Sequence, residues 1–76
     1  MITETYAIEG EREFNQEFSL PGLTVTGHSG PFGKTAKTDA LWQAINIWRQ
    51  DNEGWWNGGR HGIGNIKTTT LLVTND

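Results

Sequence analysis

Thr38-Asp39-Ala40-Leu41-Trp42-Gln43-Ala44-Ile45-Asn46-Ile47-Trp48-Arg49 decides the fold, because it carries the apolar period of a helix. Leu41, Ala44, Ile45 and Trp48 recur at the three- and four-residue spacing that lines one helical face. Thr38 suits the N-cap, and Asp39 sits well near the positive end of the helix dipole. The pattern predicts a helix over 38–52, ending before Gly54. Trp42 falls on the flank of the apolar face, beside Arg49. One such helix needs a second layer to cover its apolar stripe, and the flanking segments must supply it.

Upstream, the residues alternate. Ile2, Tyr6 and Ile8 share one face of a first strand over Thr3–Glu9. Glu9-Gly10-Glu11-Arg12 reads as a turn, with Gly10 free to take a positive φ. Phe14, Phe18 and Leu20 line one face of a second strand over Glu13–Leu20. Pro21-Gly22 suits the centre of a type II turn, which sets Leu23 and Val25 in a third strand. Gly27 to Gly33 contains Gly27, Gly30, Pro31 and Gly33 and forms a loop. Downstream, Trp55 to Asn65 holds Gly58, Gly59, Gly62 and Gly64 and reads as a second loop. Ile66 to Thr74 is rich in threonine and branched aliphatics and makes a last strand, with Leu71 and Val73 favoured for the core. The order is β-β-β-α-β: an α+β fold, a small antiparallel sheet with one helix packed on one face. The expected core is Tyr6, Ile8, Phe14, Phe18, Leu23, Val25, Leu41, Ala44, Ile45, Trp48 and one of Leu71 or Leu72.

Length and composition narrow the function. The chain of 76 residues is expected to form a single domain, 1–76. It has no cysteine, which removes disulfides and thiolate metal sites. Met1-Ile2-Thr3-Glu4 lacks a basic start followed by an apolar run, so no secretory signal is expected. No segment approaches the ~20 apolar residues of a membrane span, and the expected location is the cytoplasm. The net charge of −3 argues against general binding of nucleic acid, which depends on neutralising phosphates. The chain has four tryptophans, more than a core this small uses, and tryptophan is enriched at binding hot spots.

Five groups of residues invite a chemical reading. His28-Ser29-Gly30-Pro31-Phe32-Gly33-Lys34-Thr35 follows a strand and precedes a helix, as a phosphate loop does. That loop needs a glycine where this chain has His28, and Gly27 comes one residue too early. A flexible connector is the better reading. His28 and His61 are the only histidines and lack ligand spacing, so neither a metal nor another cofactor is expected. Ser29 has no histidine and acid placed to make a triad, and the chain is not expected to be an enzyme. Glu9, Glu11, Glu13 and Glu17 read either as a solvated strand face that discourages aggregation or as an acidic patch for a basic groove. Trp55, Trp56, Arg60 and His61 read either as a lid on the core or as a binding hot spot.

In its size, its acidic charge and its strand-then-helix order (Phe18–Val25, Thr38–Trp48, Ile66–Val73), the chain resembles the small phage-encoded anti-CRISPR inhibitors. The resemblance implies a stoichiometric inhibitor that docks on a host protein or ribonucleoprotein effector complex in the host cytoplasm. It would block recruitment or cleavage of DNA. The expected protein-binding residues are Trp55, Trp56, Arg60 and His61 with Glu9, Glu11, Glu13 and Glu17. The alternative is a small nucleic-acid-binding regulator. It would use Lys34, Lys37, Arg60 and Lys67 as cations and Trp55 or Trp56 as stacking platforms.

Overall fold

The computed structural model describes residues 1–12, 15–51 and 63–75, with the side chains of residues 15–18 left aside. The described elements are β1 (Ile2–Arg12), β2 (Asn15–His28), α1 (Ala36–Asp51) and β3 (Ile63–Asn75). The three strands form one antiparallel sheet in the order β2-β1-β3, so β1 lies in the middle. The helix lies on one face of β2 and β1. This is the expected α+β architecture, an antiparallel sheet covered on one face by one helix.

The element count differs from the expectation for a local reason. The strands expected either side of Pro21-Gly22 are one strand, β2. Ile8 pairs with Leu23 while Gly10 pairs with Leu20, so Glu9 faces both Pro21 and Gly22. Pro-Gly makes a bulge here instead of a turn. An edge strand tolerates proline, because an outward N–H is not needed by a neighbour. The extra residue also resets the alternation. Leu20 and Leu23, three apart, therefore both reach the core: Leu20 is buried and Leu23 packs against the cluster. Likewise the expected turn at 9–12 is strand, since β1 continues through Arg12.

The core joins Tyr6 and Ile8 of β1, Leu20 and Val25 of β2, and Ala40, Ala44, Ile45 and Trp48 of α1. Trp48 is fully enclosed, and its indole N–H donates to the carbonyl oxygen of Pro21 at 2.7 Å. Two glycines give the helix room. A Cβ on Gly10 would sit 3.0 Å from both Leu20 Cδ1 and the Trp48 ring. A Cβ on Gly27 would run into the Ala36 carbonyl oxygen and come within 2.9 Å of Ala40 N. Leu41, Ile63 and Ile66 are partly buried and pack against this cluster. Phe14 and the Phe18 side chain lie outside the described residues.

β3 corrects the expected core. Leu71, Leu72 and Val73 are 56%, 62% and 53% exposed. Thr5 pairs with Leu72 and Tyr6 with Thr70, so Leu71 is the extra residue of a bulge. The helix does not extend over this half of the strand, and among the described residues neither facing direction offers cover to an aliphatic side chain there.

Candidate functional site

Exposed apolar side chains gather at one end of the sheet. Met1 and Ile2 open β1 there, Leu71, Leu72 and Val73 lie on β3 beside Glu4 and Thr5, and Phe32 projects from the loop after β2. The loop is tied to β1 by two bonds. Ser29 N–H donates to the Ile2 carbonyl at 2.8 Å, and Ile2 N–H donates to Ser29 Oγ at 2.7 Å. Gly30 N–H then donates to the Lys34 carbonyl at 3.0 Å, which closes a tight turn over residues 30–34.

Phe32 stands at the tip of that turn, wholly exposed at 103% and with φ at 65°. A bulky side chain in the left-handed region is a conformational outlier. Gly33 follows at φ 80°, where glycine is at home. The turn is held from its far side. Thr35 caps the helix, with its Oγ1 accepting from Thr38 N–H at 3.1 Å. The N-cap is thus Thr35, three residues ahead of the expected Thr38, and the helix begins at Ala36.

Asp39 locks loop, strand and helix together. Its carboxylate meets Lys34 Nζ at 2.7 Å and accepts from His28 N–H at 3.0 Å and from Gln43 Nε2 at 2.9 Å. The Lys34 ammonium, followed by the His28 N–H, holds its pKa below the ordinary 3.8. The phosphate-loop likeness dissolves here, because Lys34 is drawn to Asp39 across the loop. A groove of about 470 Å³ runs beside the turn, between Ile2 and Glu4 of β1 and Gly33, Lys34, Ala36 and Lys37.

The acidic residues lie toward the other end. Glu9 and Glu11 share the face opposite Ile8 and Gly10, as strand alternation requires. Their charge is partly offset: Lys67 is the cross-strand partner of Glu9, and Asn65 Nδ2 donates to Glu11 Oε1 at 3.4 Å. Glu13 and the Glu17 side chain lie outside the described residues, as do Trp55, Trp56, Arg60 and His61. No group of metal-ligating side chains occurs among the described residues, and no described helix is long and apolar enough to cross a membrane. Phe32 is the site residue that the sequence reading passed over. Its signal is an aromatic set between Pro31 and Gly33, in a loop whose own geometry has no use for one. Comparison with family models, curated proteins and solved structures finds no match.

Proposed function

We propose that this chain is a non-catalytic binding protein that docks on a protein partner through its apolar end, with Phe32 as the anchor. The observation that carries this reading is Phe32 itself, a fully exposed aromatic held at positive φ on a braced turn. Backbone strain clusters where a ligand is clamped, and an aromatic anchor entering a partner's pocket is what hot spots use. Met1, Ile2 and the groove lined by Ala36 extend the apolar surface around it. A protein partner is favoured over phosphate, because Lys34 is paired with Asp39 and Lys67 lies across from Glu9. In the sharper form implied by the resemblance to anti-CRISPR inhibitors, the partner is a host defence complex whose DNA recruitment or cleavage is blocked. That form rests on size, charge and element order.

The test is affinity for the protein captured from a bacterial lysate. Phe32→Ala should weaken binding by roughly 2–4 kcal/mol, mostly through faster dissociation. Thr24→Ala, on the helix-free face of β2, should leave it unchanged. Equal affinity of wild type and Phe32→Ala would remove Phe32 from the interface and this reading with it.

A further inference from the structure

The two edges of the sheet are finished differently. Along β2, helix side chains occupy the outer backbone groups: Gln43 Nε2 donates to Thr26 O at 2.8 Å, and Asp39 accepts from His28 N–H. Trp48 takes the Pro21 carbonyl, and Pro21 has no N–H to offer. That edge is occupied at Pro21, Thr26 and His28. Along β3, among the described residues, no side chain caps the outer backbone and no further strand pairs with it. From Thr68 to Asn75 the strand carries no ionisable side chain, and it exposes Leu71, Leu72 and Val73. An edge this long and uncharged templates another strand.

We infer that the β3 edge pairs antiparallel with β3 of a second copy of this chain, about a two-fold axis near Leu71. This goes beyond the partner reading and stands or falls apart from it. Three features favour a second copy. Self-facing 68–74 segments bring no like charges together, whereas the Glu9 and Glu11 ends of a chain of net charge −3 stay far apart. The axis sets Thr70 opposite Leu72 and Leu71 opposite Leu71, so both exposed leucines are covered. The resulting six-stranded sheet, β2-β1-β3-β3-β1-β2, ends on both sides at a β2 edge that helix side chains occupy at three residues and that carries Pro21, which disfavours pairing beyond two copies. A seven-residue pairing is about 24 Å long and buries on the order of 500–700 Å² in total, under the ~1,200 Å² of standard interfaces. The Leu71 bulge limits it further. The dimer is therefore weak and reversible.

Sedimentation velocity from about 5 µM to about 500 µM should show monomer at the low end and dimer at the high end. Leu72→Lys and Leu72→Glu should each stay monomeric throughout, and an equal mixture of the two should associate again. Phe32→Ala should dimerise like wild type. The chain has no cysteine, so Leu71→Cys reports the contact directly. Opposed Cα atoms about 4.5–5.5 Å apart fall within disulfide reach, so oxidation should crosslink this variant well ahead of Thr24→Cys on β2. A monomer at every concentration overturns the inference. So does a dimer that Leu72→Lys leaves intact, or one that Phe32→Ala abolishes. Should the Leu72 variants fail to fold, the ratio of crosslinking between Leu71→Cys and Thr24→Cys decides: equal rates overturn it.

Discussion

Phe32 costs the fold something that a glycine would not. A left-handed residue with a Cβ is disfavoured by roughly 1–2 kcal/mol. Phe32→Gly lifts that penalty but adds freedom to the unfolded chain, which takes back about 0.4–1 kcal/mol. The variant should therefore be more stable than wild type by roughly 0.5–1 kcal/mol while binding its partner worse. Urea unfolding beside the affinity measurement checks the pair, and a less stable Phe32→Gly would contradict the strain. Asp39 makes the opposite kind of contribution. Its folded pKa is depressed, first by Lys34. The stabilisation is thus fully present above its ordinary value of 3.8 and is lost as pH falls through the lower folded value. Asp39→Asn should cost about 1–2 kcal/mol at neutral pH through its charge-assisted bonds. The gap to wild type should shrink with acid, and chemical denaturation at pH 7 and at pH 2.5 would show a constant gap if the charge were idle. Of these two residues the sequence announces Asp39 as a helix-start acid. Its bonds to His28 and Lys34 come from the way the strand enters the helix, which no local period encodes.

At the level of elements, Gly27 sets how closely α1 lies on β2. Because an added Cβ would meet helix backbone, no rotamer change relieves it. Gly27→Ala should destabilise by about 3 kcal/mol or more as the helix start is pushed off the strand. Gly10→Ala meets only side-chain atoms and should cost less. Thermal unfolding of the two variants ranks them, and equal losses would mean that the helix moves freely over β2. The helix is legible in the sequence to within two residues, 38–52 against Ala36–Asp51, because its apolar period is complete without tertiary help. The alternations of β2 are legible too. Their continuity is not, since a bulge and a turn put the same residues, Pro21 and Gly22, between the same two alternating runs. Only the pairing of Glu9 with both distinguishes them. Leu71 and Leu72 misled for a related reason: hydrophobicity marks a side chain that prefers cover, and whether cover exists depends on how far the helix reaches. The aromatic loop and half of the acidic residues fall outside the described residues, so the site legible in the structure is a different one, at the opposite end of the sheet from Glu9 and Glu11.

For the molecule as a whole, the described helix shelters two of the three described strands. β1 is bonded on both sides and covered on one face, whereas among the described residues the second half of β3 is bonded on one side and covered on neither face. At low micromolar concentration, amides of β1 should exchange with solvent slowest and those of residues 71–75 fastest among the strands. Hydrogen exchange read by NMR checks the order, and equal protection of β1 and residues 71–75 would show that something covers β3 in the monomer. The strand order also fixes a sequence of events. β1 and β2 are neighbours along the chain and α1 follows at once, so this part assembles from short loops. β3 joins β1 only across long separations, from Arg12 with Ile63 to Ile2 with Asn75. On a ribosome, the middle strand of this sheet would therefore stand as an unguarded border until β3 clears the exit tunnel. Its second neighbour is made after β2 and α1, and for that interval any extended segment of another nascent chain competes for the same row of hydrogen bonds.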